Sequence, residues 1–195
     1  MSDAALVRRL REGDEDAFRT VFEAHQPMLV RLASAYVKSP SVAEEIAQDT
    51  WVAVIDSLGG FEERAALKTW IARIAINRAK TRAQREGRQV QLEDEEAPSV
   101  DSSRFGTFGQ FKNAPSRWEE SPEALVSRRE VREAIERCLD DLPTPQRTVV
   151  TLRDLEGWSS EEVCNVLEIS ESNQRVLLHR GRSRLRAALE GVLGR

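Results

Sequence analysis

Apolar residues recur at three- and four-residue spacing along most of this chain, and β-branched runs are scarce, so the pattern predicts helices and disfavours a sheet. A short helix begins near Asp3, carries Leu6 and Leu10, and ends at Gly13. Asp14 is placed to cap a longer helix with Phe18, Val21, Phe22, Leu29, Leu32 and Tyr36 on one stripe, and Pro27 marks a kink or local break. Lys38-Ser39-Pro40 interrupts the period. Ser41 with Glu44 reads as a capping box for a third helix, whose stripe of Ala43, Ile46, Ala47, Thr50, Trp51, Val54 and Leu58 runs to Gly59-Gly60. A fourth helix, from about Ala65 to Glu86, has Leu67, Trp70, Ile71, Ile74 and Ala75 as its core side, so Trp70 is expected to pack inward.

The period then lapses. From Gly87 to Ser121, acids cluster at Glu93 to Glu96, Pro and Gly recur, and Phe105, Phe108, Phe111 and Trp118 stand isolated, which predicts a flexible linker whose aromatics suggest docking on some surface. Helical spacing resumes after Pro122. Leu125, Val131, Ile135, Cys138, Leu139 and Leu142 form one helix, broken at Pro143-Thr144-Pro145, and Val149, Val150, Leu152 and Leu155 form another that stops at Gly157. Ser159 and Glu162 make a capping box for a short helix carrying Val163, Val166 and Leu167. Ser170 can cap a long basic helix bearing Arg175, His179, Arg180, Arg182, Arg184 and Arg186. A capped helix, a tight corner and a basic helix predict a helix-turn-helix whose second helix enters a DNA major groove. The expected fold is all-α: a domain over 1–88, a flexible acidic linker over 89–121 and a second domain over 122–195.

Charge changes this picture more than its total suggests. The net charge of −4 announces no nucleic-acid partner. Yet Ser39 to Glu63 contains Glu44, Glu45, Asp49, Asp56, Glu62 and Glu63 and no Lys or Arg, for a net of −6. Arg64 to Arg88 holds eight basic residues against Glu86 alone, and Ser170 to Arg195 holds six arginines against two glutamates. Two basic blocks set apart by acidic ones imply two anionic contacts and a basic partner. The two cysteines, Cys138 and Cys164, and the two histidines, His25 and His179, are too few and scattered for a metal site, and both cysteines read as small buried hydrophobes. There is no P-loop, Rossmann or zinc spacing and no nucleophile–base constellation, so neither catalysis nor a cofactor is expected. Without a signal peptide or transmembrane-length apolar run, the expected location is the cytoplasm, with no direct membrane insertion.

The order of motifs resembles the extracytoplasmic-function sigma factors of bacterial RNA polymerase. Ala17-Phe18, Tyr36, AEEIAQDTW at 43–51, Phe61 and TWIARIAIN at 69–77 resemble that family's first domain. Leu142-Pro143, Arg147, Val149, Leu152, Gly157, SSEEV, LEIS and LLHRGRSRLR resemble its second. The resemblance implies that the helix with Glu44, Glu45, Gln48 and Asp49 docks on the clamp coiled coil of core RNA polymerase. It implies that Phe61, Arg64, Lys68, Arg73, Asn77 and Lys80 open and read the promoter −10 element, the cations holding phosphate and Phe61, Arg64 and Asn77 capturing a base. Asn173, Arg175, Val176, His179 and Arg180 would read the −35 element, with Arg147 holding phosphate and the polymerase flap as the second docking point. An anti-sigma factor is a further implied partner. Many relatives carry Gly where Glu168 stands, Val at Gln174, and polar residues at Val176 and Leu177. The competing reading is a stand-alone helix-turn-helix regulator, which leaves the acidic helix and the first basic block without a task.

Overall fold

The computed structural model describes residues 3–87 and 134–193, and side chains to residue 190. The linker expected over 89–121, its aromatic residues and the start of the second domain lie outside the described residues. Everything regular among the described residues is helical.

Helix α1 (Asp3–Arg11) acts as a clasp. Its Asp3 carboxylate accepts the Leu67 N–H at 3.2 Å. Leu67 opens α4 (Leu67–Arg85), whose own N-cap, Ala66, has no side chain able to satisfy an orphan amide, so the cap comes from 64 residues upstream. At the other end of α1, Arg11 donates to the Phe61 carbonyl and pairs with Glu63 at 3.1 Å, fixing the loop that leads into α4.

After a turn at Gly13 (φ +77°), Asp14 caps α2 (Glu15–Ser34) as its sequence predicts, accepting the Asp16 and Ala17 N–H groups at 3.0 Å. Arg9 holds that carboxylate at 2.7 Å and, with the amides, keeps its pKa below the usual carboxylate range. Helix α2 runs unbroken past Pro27. The expected capping box at Ser41 and Glu44 does not start α3 (Pro40–Ser57). Ser39 is the N-cap and makes no side-chain cap bond, and Pro40 enters the first turn, where a missing N–H costs nothing. A 3₁₀ turn, Leu58–Gly60, ends this stretch.

Helices α2, α3 and α4 pack on one another around Leu29, Leu32, Ile71 and Ile76, each fully buried. Each such side chain contributes roughly 1.5–3 kcal/mol over its exposed state. Phe18 and Phe22 meet Trp51 at centroid distances of 5.7 and 5.3 Å, and the Trp51 indole N–H is satisfied by Gln26 Oε1 at 2.6 Å.

The second group contains α5 (134–140), α6 (Thr144–Val150), α7 (Ser160–Leu167) and α8 (Glu171–Leu193). Helix α6 widens into a π-turn at Thr151–Leu155 before the chain reverses at Gly157 (φ +68°). Both halves of the Ser159–Glu162 capping box are present, at 3.1 and 2.8 Å. Glu168 ends α7 in the left-handed region (φ 59°, ψ 41°), the conformation for which glycine is usually chosen. Ser170 Oγ then accepts the Asn173 N–H at 3.2 Å at the start of α8, again as the sequence predicts. Where α8 crosses α6, a Cβ on Gly181 would lie 2.6 Å from Val150 Cγ2, so glycine sets the crossing distance.

The two helix groups touch, and their buried apolar residues form one continuous cluster. Thr144 Oγ1 donates to the Ala35 carbonyl at 2.8 Å, and Arg31 Nε reaches Glu156 at 2.9 Å. Tyr36 is buried beside Thr148, and burial pushes its phenol up to about 12.

Candidate nucleic-acid and polymerase interfaces

Helical spacing separates two faces of α3. Ala43, Ile46, Ala47, Thr50, Trp51 and Val54 turn inward, leaving Glu44, Glu45, Gln48 and Asp49 exposed on one outer face. Val52 and Ile55 are also exposed, at 57% and 58%. An exposed acidic strip flanked by apolar side chains suits a partner that is basic and partly apolar.

Two arginines of α4 lean over the strip. Arg82 comes within 3.6 Å of Glu45 and Arg78 within 3.8 Å of Asp49. A groove of about 440 Å³ lies between the helices, lined by Glu45, Asp49, Asn77, Arg78 and Arg82 among others. The Arg82 guanidinium has its pKa raised, first by its hydrogen bond to Glu86 and then by Glu45. Neither Arg78 nor Arg82 is among the residues expected to meet the −10 element. Their i, i+4 spacing was the available signal, but it does not say which helix they face.

The residues expected to meet the −10 element fall in different places. Arg64 is exposed, 2.7 Å from Glu62. Asn77 is exposed in the groove and Lys80 is half-buried. Phe61 departs from the expectation of a base-stacking surface. Its ring is 6% exposed and lies against Trp70, 4.7 Å between centroids, so it packs the base of the loop instead. Trp70, expected in the core, is half-buried in that pair. Lys68 and Arg73 point toward the second helix group. Lys68 Nζ is 2.8 Å from Glu162 Oε1 and 4.9 Å from the centre of the Trp158 ring, and Arg73 donates to the Asn165 carbonyl. Nothing local in the sequence signals these contacts, because their partners lie about 90 residues away.

On α8, Arg175 and Val176 are exposed, with Arg175 2.7 Å from Glu171, while Asn173, His179 and Arg180 are half-buried. Between exposed residues such as Arg175 and Val176, Gln174 and Leu177 face inward, so one face of the helix stands free. Arg147, expected to hold phosphate, is a half-hidden cation: its side chain is 16% exposed and sits 2.5 Å from Asp140. Burial lowers its pKa and Asp140 opposes that shift. Cys138 is buried and Cys164 half-buried, both as free thiols. Among the described residues no cluster of His, Cys, Asp and Glu could hold a metal ion, and no helix is long and apolar enough to cross a membrane.

Two family models match the two helix groups in chain order: Sigma-70 region 2 over residues 21–89 and Sigma-70, region 4 over residues 132–185. The chain is 30% identical over 191 residues to the RNA polymerase sigma-H factor of Pseudomonas aeruginosa, covering 98% of this chain and 95% of that protein. It is 28% identical over 195 residues to the ECF RNA polymerase sigma-E factor of Escherichia coli strain K12, covering 100% and 98%. Two solved structures share its fold at 20% identity. One is CnrH in complex with the cytosolic domain of CnrY (TM-score 0.60, 97% of each chain). The other is the sigma factor RpoE in complex with the anti-sigma factor NepR from Bartonella quintana (TM-score 0.61, 89% of this chain and 96% of that one). With both regions present in order and likeness extending over the whole length of its relatives, the chain belongs to the extracytoplasmic-function sigma factors of RNA polymerase.

Proposed function

We propose that this chain is a dissociable initiation subunit, with residues 1–88 docking on core polymerase and engaging the −10 element and residues 122–195 reading the −35 element. The supporting observation is the side-by-side placement of an exposed acidic face on α3 and a cation-rich α4, in one chain with a helix-turn-helix. Glu44, Glu45, Gln48 and Asp49 meet the basic clamp coiled coil. Arg64, Lys68, Arg73 and Lys80 hold phosphates, and Asn77 and Arg64 contact a base. On α8, Arg175 exchanges its exposed Glu171 partner for a guanine edge and Val176 touches a thymine methyl, flanked by Asn173, His179 and Arg180. Arg147 reaches a phosphate once Asp140 releases it. The flap of the polymerase holds the second domain near DNA, so α8 needs little affinity of its own. Bond making stays with the polymerase, the setting is the cytoplasm, and an anti-sigma factor that covers both domains keeps the subunit in reserve.

Run-off transcription with purified core polymerase, on templates chosen by mapping transcript starts after overproduction, tests the reading. Added chain should create new starts at fixed −10 and −35 sequences. Tight promoter binding by the chain alone, without initiation when core is added, would overturn it in favour of a stand-alone regulator. The docking face has its own check: Gln48→Ala with Asp49→Ala should weaken core binding about tenfold while circular dichroism and melting stay unchanged.

A further inference from the structure

We infer that Arg11 is a positioning residue for −10 recognition: reaching across from α1, it sets the shape of the loop from which Glu62 and Arg64 face the DNA. This role rests on the reading of that loop and α4 as the −10 contact surface.

Backbone bonds tie the two ends of the loop. The Phe61 N–H returns to the Leu58 carbonyl at 3.2 Å, and the Thr69 and Trp70 N–H groups reach the Ala66 carbonyl at 3.0 and 3.1 Å. Between those ends, Glu62, Glu63, Arg64 and Ala65 are all exposed. Glu63 also takes a left-handed backbone (φ 57°), which its Cβ disfavours.

One guanidinium holds this middle stretch. Arg11 Nε donates to the Leu58 carbonyl at 3.4 Å, Nη2 to the Phe61 carbonyl and Nη1 to the Glu63 carboxylate at 3.1 Å. A planar fork that meets three acceptors fixes their relative positions, which a single point charge does not. The Arg11 side chain is 37% exposed and that of Glu63 38%, so their pair adds little stability. What Arg11 supplies is geometry. Helix α1 makes the hold rigid: Val7 is fully buried, and Asp3, roughly 12 Å back along the axis, caps α4 at Leu67. The two ends of α1 thus reach both ends of the loop, while Phe61 packs on Trp70 beneath it. Ordering a contact surface before its ligand arrives spares that cost at binding. Without the strut, Arg64 would meet a base or phosphate from a wider range of places, and wrong bases would be penalised less.

The test uses the full chain with core polymerase at limiting holoenzyme. Templates are a promoter found by mapping transcript starts and derivatives with each −10 base replaced in turn. Run-off yield on the parent, divided by that on a derivative, gives a discrimination ratio. A weaker fold scales every yield alike and leaves the ratio unchanged, so the ratio separates positioning from stability. At the −10 position with the largest wild-type ratio, Arg11→Ala should lower it about fivefold, the low end for one base contact. Arg8→Ala, the same change at an exposed position one turn back on α1, should leave it intact. Arg11→Lys keeps the charge but not the fork and should lose part of the same discrimination. Unchanged ratios for Arg11→Ala, or an equal loss for Arg8→Ala, overturn the role; if Arg11→Ala does not fold, wild-type ratios for Arg11→Lys do so. Wild-type holoenzyme without run-off or without −10 discrimination sinks the sigma reading, whereas wild-type discrimination that the Arg11 variants retain sinks the positioning role alone.

Discussion

Between α1 and α4 the described interior is almost wholly apolar, with Thr50 and Thr69 as its buried polar side chains, whereas α6 to α8 bury Gln146, Thr148, Thr151, Gln174 and Ser183. Some of that polarity is answered: Thr148 Oγ1 donates to the Thr144 carbonyl and Gln174 Oε1 accepts from Ser160, at 2.8 and 3.0 Å. The Gln146 Oε1, Gln174 Nε2 and Ser183 Oγ atoms have no hydrogen-bond partner among the described residues. The difference follows from what each half presents outward. The first group can devote three helices to one core and still leave a face of α3 exposed, the face proposed for docking. The described part of the second is small, and on the proposed reading α8 keeps one face for DNA, so it packs with short polar side chains, a glycine crossing and the flank of its neighbour.

Leu32→Ala should break the contrast or confirm it most forcefully. It removes a fully buried side chain from the apolar half and should lower stability by ~2–5 kcal/mol in urea unfolding. Amides of α2 to α4 should lose hydrogen-exchange protection first; equal loss across α6 to α8 would mean that the halves unfold as one. Gly181→Ala tests the thinner half. Alanine's helix preference favours the change by about 1 kcal/mol, but the new Cβ meets a stiff, buried Val150 methyl. We expect a net loss of about 1–2 kcal/mol in the same assay, confined to α6 to α8. Glu168→Gly relieves a left-handed side-chain residue and should stabilise the corner by up to about 1 kcal/mol, read as a higher melting temperature.

The smallest expected effect is on pH. Lys68, with the Ser159 amide, holds the Glu162 carboxyl below its usual pKa of 4.5. Because the folded value is the lower one, the stabilisation is fully present above pH 4.5 and disappears as pH falls through the depressed value. Hydrogen exchange of α7 should quicken over that acid interval in the wild type, and Glu162→Gln should flatten the response.

Caps and stripes were legible because they are local. Asp14, Ser159 with Glu162, and Ser170 each announce a helix start within four residues, and each does so in the structure. Ser41 misled because Pro40 is itself a good first-turn residue, moving the start upstream of the apparent box. For Phe61, the base-stacking role came from the resemblance and not from its neighbours; its burial against Trp70, nine residues later in another element, could not be read locally. The acidic face of α3 could be read from its stripe. The Asp3 cap on α4, the Arg78 and Arg82 overhang and the α7 contacts with Lys68 and Arg73 join distant segments, where helical period carries no information.

A chromosome is a vast sink for exposed cations, since every stretch of duplex binds them without regard to sequence. With Lys68 engaged by Glu162, Arg73 by the Asn165 carbonyl and a net charge of −4 overall, the free subunit should be a poor occupant of that sink. Molecules not parked on random DNA remain in the pool that polymerase samples. On that account, ties such as that between Lys68 and Glu162 add to the share of the subunit available to polymerase.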